Sequence, residues 1–325
     1  MSFQEIIYYT HQNGRKLKLR LFDTNNKLQQ QPSPCVMFVQ GSGFFGGPHL
    51  LNISPPYLDA LLNNGYSVAQ IEHRGSIENG IFPNPLNDIT CAIRYLMGNA
   101  KDLNLDINKF AMFGRSSGGY FTSMIGVLST NDNVGAMSQE IVKKLHGTTM
   151  GPYVNIFPKI KCAVCFFPPT DLLLMDFHTP EHLRKETWGV RRKLPNGATI
   201  HLPHDHPSSP EAYYMGFPIQ TKPLEVQLAN PLTYVNKKTI PFLLVHGDAD
   251  GTVPCGQSQV LYKKLTSDDI DGINVRKHKY IEVKGGGHGT PHFLEKNIEN
   301  EFLDFLEKHL MMKEEDGSKQ QESRL

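Results

Sequence analysis

Lys109-Phe110-Ala111-Met112-Phe113-Gly114-Arg115-Ser116-Ser117-Gly118-Gly119-Tyr120 is the stretch on which the fold turns. Its apolar run has the length and composition of a strand buried on both faces. From Ser117 onward, SSGGYFTSMIGVLS reads as a helix opening directly from that strand. Between the two stands Gly114-Arg115-Ser116-Ser117-Gly118, a G-x-S-x-G in strand–turn–helix context. Glycine at both ends allows a turn tight enough to lift Ser116 into a strained, exposed position. The helix start then aims free N–H groups and its positive end at whatever Ser116 attacks. As a bare pattern G-x-S-x-G recurs by chance; the flanking strand and helix make Ser116 a candidate nucleophile.

Outward from this point the chain alternates. CVMFVQ, YSVAQIE, KCAVCFF and PFLLVHG read as strands, and KHKYIEV as a last one. PPYLDALLNNG, closed by Gly65, and LNDITCAIRYLMGNA read as amphipathic helices between them. Strands alternating with helices imply a mostly parallel central sheet flanked by helices. Phe3 to Phe22 suggests a hairpin turned by Asn13-Gly14, and the Gln-rich stretch after it a surface loop. Two segments break the alternation, about 130–158 and 168–238, rich in Pro, His, Gly and aromatics. Insertions of that length in a compact enzyme are expected to form a lid or cap. Residues 1–312 are expected to be one domain, and 313–325 a disordered polar tail.

Composition excludes several classes. The 325 residues are 39% hydrophobic and 20% charged, with a net charge of +1, which describes an ordinary globular chain. No strong field invites nucleic acid or an anionic membrane. No apolar run approaches a membrane span, and the N-terminus lacks a signal-peptide core. The five cysteines (Cys35, Cys91, Cys162, Cys165, Cys255) are odd in number and lie mostly in apolar segments, as expected for reduced thiols in the cytoplasm. Cys162-x-x-Cys165 lies within a strand, where a redox pair does not belong, so both are expected to be core thiols.

A serine hydroxyl needs a base. Among 14 histidines, His288 in VKGGGHGTPHF follows the last strand within a glycine-rich loop, with His292 a near alternative. The order Ser…Asp…His then requires a carboxylate after PFLLV, where Asp248 and Asp250 compete. Asp250 is favoured because it lies further from the strand end, where the loop can turn back toward His288; Asp248 reads as a turn residue bonding its own backbone. An oxyanion requires N–H donors. The amides of Ser42 and Gly43, after the strand CVMFV, and that of Ser117 are the expected set.

With these pieces placed, the chain resembles the α/β-hydrolase fold serine esterases, in the acetyl-esterase and feruloyl-esterase-like group related to hormone-sensitive-lipase-type enzymes. Gln40-Gly41-Ser42-Gly43-Phe44 stands where that group carries His-Gly-Gly-Gly and an aromatic. Phe82-Pro83-Asn84-Pro85-Leu86-Asn87-Asp88 resembles its segment before the nucleophile strand, and Asn230-Pro231-Leu232 with His246 to Pro254 its acid-loop signature. The resemblance covers roughly Cys35 to Leu310 and implies Asp250 as the triad acid. Gln40 and Ser42 depart from the pattern, and Ser tolerates a positive φ less well than Gly.

The expected function is hydrolysis of small-molecule carboxylic esters with short-chain or aromatic acyl groups, through Ser116, His288 and Asp250 and an acyl-enzyme. No metal or organic cofactor is implied. An oligopeptidase-type peptidase is the alternative in the same chemistry, though the stretch before Cys35 is too short for the propeller such enzymes usually carry. A non-catalytic binding protein on this scaffold predicts a missing triad member. Arg115, beside the nucleophile, is expected to pair with a surface acid rather than to contact substrate. His201 to His206 reads as a polar loop rather than a metal site, and Trp188, Tyr213, Tyr214 and Phe217 either line an acyl pocket or pack the lid. Ser323-Arg324-Leu325 resembles a peroxisomal address, the alternative to the cytoplasm.

Overall fold

The computed structural model of the chain describes residues 2–24, 31–130, 143–145, 147, 150–184, 190–193, 199–267 and 277–311. Eight strands form one sheet: β1 (Gln4–Thr10), β2 (Lys16–Phe22), β3 (Ser33–Val39), β4 (Ser67–Ile71), β5 (Leu105–Arg115), β6 (Cys162–Phe166), β9 (Phe242–Gly247) and β10 (Lys279–Val283). Their order is β1-β2-β4-β3-β5-β6-β9-β10. The β1–β2 and β2–β4 pairs are antiparallel, and every pair from β4 through β3 to β10 is parallel. A two-stranded ribbon, β7 (Val190–Lys193) and β8 (Thr199–Leu202), lies within the second insertion. The hairpin turns at Gly14, whose φ of 83° suits glycine.

The continuous apolar strands are buried on both faces, and alternation divides them between two cores. Cys35, Met37 and Val39 of β3 join Phe110 and Met112 of β5 in one core. That core is covered by α2 (Asn84–Gly98), through Leu86, Ile89, Ile93 and Leu96, and by α3 (Ser117–Leu128), through Tyr120, Phe121 and Met124. Val36, Phe38, Ala111 and Phe113 face the other way, onto α1 (Leu58–Asn63) and the helix Lys296–Leu306, which contributes Ile298, Phe302 and Phe305. Each Val, Leu, Ile, Phe or Met side chain among them contributes roughly 1.5–3 kcal/mol of burial. Val36→Asp would place a charge between β3 and α1 with no partner.

Cys162 and Cys165, three apart on β6, fall in opposite cores and cannot pair. The edge strand β10 is only half-buried, which is why it reads less apolar than its neighbours. β5 begins earlier than its apolar run because Leu105 pairs with Ser33 across a bulge. Among the described residues no helix is long and apolar enough to cross a membrane. The carboxyl ends of β3, β5, β6 and β9 open on one edge, where crevices form in open parallel sheets.

Candidate active site

At that edge β5 ends on Arg115 and α3 begins at Ser117, leaving Ser116 to make the whole turn. Ser116 has φ 54° and ψ −128°, a backbone conformation that a non-glycine residue adopts only when its surroundings impose it. Here its N–H donates to the Phe166 carbonyl at 2.9 Å, and its own carbonyl accepts from Tyr120 N–H at 3.0 Å. The glycines are required by space. A Cβ on Gly114 would stand 2.2 Å from the Gly118 carbonyl oxygen, and one on Gly118 would stand 2.0 Å from that of Val39. Gly41 is equally confined: a Cβ there would meet the Arg115 oxygen at 2.3 Å and Ser116 Cβ at 2.6 Å.

The loops after β9 and β10 bring the other two residues to this turn. His288 Nε2 lies 2.9 Å from Ser116 Oγ, and His288 Nδ1 lies 2.8 Å from Asp250 Oδ2. A carboxylate only accepts, so Nδ1 carries the proton and Nε2 is left to accept from the serine hydroxyl. The second oxygen of Asp250 accepts from the N–H groups of Thr252 and Val253, both at 2.9 Å. Asp250 is fully buried, and burial alone would raise its pKa. The imidazoles of His288 and His246 outweigh that and hold the carboxyl below its ordinary range.

His246, buried at the end of β9, donates through Nε2 to the Val253 carbonyl at 2.8 Å and lies 3.5 Å from Asp250. Phe167, with φ 41°, presents its ring to that of His288 at 4.7 Å. Phe167 carries no sequence signal beyond following β6, and His246 none beyond heading the acid-loop stretch His246 to Pro254. His292 contacts Thr290 Oγ1 at 3.0 Å. Asp248 does not bond its own turn, as its sequence context suggested; it accepts from Gly285 N–H at 2.7 Å and so ties the acid loop to the start of the histidine loop.

The expected oxyanion donors are placed unequally. The Ser42 amide already donates to Ser117 Oγ at 2.9 Å, while the Gly43 and Ser117 amides have no hydrogen bond among the described residues. Gly43 has φ 59°, so glycine stands where the positive value is needed and Ser42 escapes it. Ser42 Oγ in turn accepts from Gly46 N–H at 2.8 Å, closing the loop on itself. The departure at Gln40 is taken up by Arg115, whose Nη2 donates to Gln40 Oε1 at 2.7 Å. This replaces the expected surface acid, because the side chain turns inward over the Phe38 ring, 6.0 Å from its centroid.

Behind the loop, Gly46 and Gly75 touch so closely that a Cβ on either would overlap the other's backbone. Arg74, beside Gly75, forks onto buried Asp88 of α2 with contacts of 2.7–3.1 Å. A bidentate pair of this kind fixes direction as well as distance. It anchors the loop after β4 that backs the glycine turn.

The glycine turn from Gln40, the elbow residues Arg115 to Ser117, and His288 line one cleft of ≈ 470 Å³, walled by Phe44, Phe45 and Phe167 and, from the second insertion, by Pro169, His204, Pro210 and Glu211. The aromatics expected from the insertion lie elsewhere. Tyr214 is fully buried and stacks on Phe44 at 4.5 Å, Tyr213 is exposed, Phe217 packs against the core, and Trp188 lies outside the described residues. Within His201 to His206, His204 turns to Glu211 and His206 Nδ1 accepts from Ser208 N–H at 3.0 Å.

A mostly parallel sheet with a serine elbow at its centre, and a carboxylate and an imidazole delivered by the loops after β9 and β10, defines an α/β-hydrolase. The chain belongs to the BD-FAE family, which it matches over residues 23–265. It is 23% identical to esterase LipC of Mycobacterium tuberculosis over 259 residues, 80% of this chain and 53% of LipC, so it spans about half the length of that relative. A truncated carbohydrate esterase from gut microbiota shares the fold with a TM-score of 0.73 at 24% identity, over 96% of this chain and 97% of that one. A thermophilic esterase of the planctomycete Thermogutta terrifontis does so with a TM-score of 0.62 at 16% identity, over 96% and 95%.

Proposed function

We propose that the chain is a carboxylic ester hydrolase using Ser116 as nucleophile, His288 as general base and Asp250 as the acid that orients it. The observation that carries this reading is the relay of 2.9 Å and 2.8 Å from Ser116 Oγ through His288 to Asp250. His288 Nε2 takes the hydroxyl proton as Oγ bonds the ester carbonyl carbon. The negative oxygen faces the Gly43 and Ser117 amides, with the positive end of α3 behind them. Ser42 contributes once its amide leaves Ser117 Oγ. Collapse expels the alcohol, which takes the proton from His288. Water, deprotonated by His288, then cleaves the acyl-enzyme and restores Ser116.

The aromatic-walled cleft of ≈ 470 Å³ supports short-chain or aromatic acyl esters. The second insertion acts as the lid, since its residues wall that cleft. A binding protein without catalysis would not need a base within 2.9 Å of an elbow serine. The five free cysteines support a reducing compartment such as the cytoplasm; the C-terminal tripeptide lies outside the described residues. The test is labelling with a fluorophosphonate. One site should react, and Ser116→Ala should abolish it; label persisting at Ser117 or elsewhere overturns the assignment.

A further inference from the structure

One pair of groups in the cleft wall has no place in the steps above. His204 and Glu211 are both almost completely buried, with His204 Nδ1 3.2 Å from Glu211 Oε1. Glu211 Oε2 and both ring nitrogens of His204 are buried without a well-formed hydrogen bond among the described residues, although both residues line the same cleft as Ser116 and His288. A buried polar atom left unpaired is costly, so a pair of them beside a reaction centre points to a ligand group that would satisfy both. Both residues are held rigidly. The His204 and Asp205 amides donate to the two oxygens of Asp176 at 2.9 Å each, and Ser209 caps the turn bearing Glu211 by accepting from Ala212 N–H at 3.1 Å.

The chemistry of the pair selects its ligand. Burial disfavours the imidazolium, but the Glu211 carboxylate, with Asp176 and the Thr252 carbonyl, raises the His204 pKa above its ordinary value. A carboxylate and an imidazole 3.2 Å apart thus present an acceptor and a donor side by side at the cleft wall. The pair offers an acceptor, Glu211 Oε2, beside a ring N–H of His204. A hydroxyl group is the neutral partner that donates to the first and accepts from the second. An apolar chain would leave both unpaired.

We propose that Glu211 and His204 form a subsite that holds a hydroxyl group of the ester substrate. This rests on the ester-hydrolase reading and adds a specificity element to it. The hydroxyl can belong to the alcohol or to the acyl part, and two substrate pairs separate these cases. Glycerol monoacetate against ethyl acetate places it on the alcohol; ethyl lactate against ethyl propionate places it on the acyl group. Initial rates followed by proton release give kcat/KM for each.

The wild-type enzyme should favour the hydroxylated member of at least one pair. Glu211→Gln should lower kcat/KM for that ester about 10- to 100-fold, with its plain partner changed less than about threefold. His204→Gln should act in the same direction and provides a second reading if Glu211→Gln folds poorly. A merely structural pair would depress both esters of a set together, and that result overturns the proposal. So does a wild type that cleaves the plain esters with no hydroxyl preference in either pair. A wild type that cleaves none of the four overturns the ester-hydrolase reading, and the subsite with it.

Discussion

Asp250→Asn is the perturbation that distinguishes the two aspartates of the acid loop. In the folded protein Asp250 Oδ1 satisfies two amides, and Oδ2 accepts from His288 Nδ1 at 2.8 Å. A carboxamide has one acceptor oxygen and one NH₂ donor group. Turning the NH₂ toward Thr252 and Val253 would oppose two N–H donors, so the oxygen stays with them and the NH₂ faces His288. That places an acceptor demand on Nδ1, moves the ring proton to Nε2, and points an N–H at Ser116 where a lone pair is needed. The comparable change in serine proteases costs about 10⁴-fold in turnover. That corresponds to about 5.5 kcal/mol of transition-state stabilisation. Asp248→Asn removes a carboxylate from the Gly285 amide and from Lys284, 3.3 Å away on the surface. It should cost on the order of 1 kcal/mol of stability, with turnover changed only a few-fold. Turnover of p-nitrophenyl acetate, with circular dichroism to verify folding, decides between them. A folded Asp250→Asn enzyme within tenfold of wild type, or a crippled Asp248→Asn enzyme, refutes the reasoning.

Further outcomes follow from the packing and the titrating groups. Gly41→Ala should destabilise the fold by about 1–3 kcal/mol and depress turnover, because its Cβ would push on Ser116; Gly14→Ala, at a turn with open space, should leave turnover alone. Among p-nitrophenyl esters from acetyl to decanoyl, rates should peak at the short or aromatic acyl groups, and a maximum at decanoyl refutes that preference. Burial, aided by Lys308 and Lys277, lowers the His309 pKa from 6.5 to about 4. The unfolded chain then binds more protons between those values, so this contribution to stability is complete above about pH 6.5 and lost as pH falls toward 4. His309→Gln should lose less stability than wild type across that window in urea titrations; equal losses would show that His309 is not the group responsible.

Much of this molecule is legible in its sequence because the relevant signals are local. Continuous apolar runs at β3, β5, β6 and β9 declare strands buried on both faces, and the helical periods between them require parallel crossovers. Gly114 and Gly118 announce the elbow because the close approaches they permit, to Gly118 and Val39, arise from the turn itself and the adjoining strand. Ser116, His288 and Asp250 could be nominated from their order and from the strands they follow.

Tertiary structure alone decided the contacts made between distant segments, which carry no periodicity of their own. Arg115 reaches Gln40 across 75 residues, Asp248 reaches Gly285 across 37, and the Ser42 amide reaches Ser117 Oγ across 75. Sequence context suggested a surface acid, a self-contained turn and a free oxyanion donor at those positions. The His204–Glu211 pair is likewise invisible in a Pro-bounded loop rich in histidine, because its meaning depends on which side chains are buried facing the cleft. Pattern specifies which residues enter the core and which end the strands. Long-range packing determines which of the remaining polar atoms are satisfied and which are left open to a substrate.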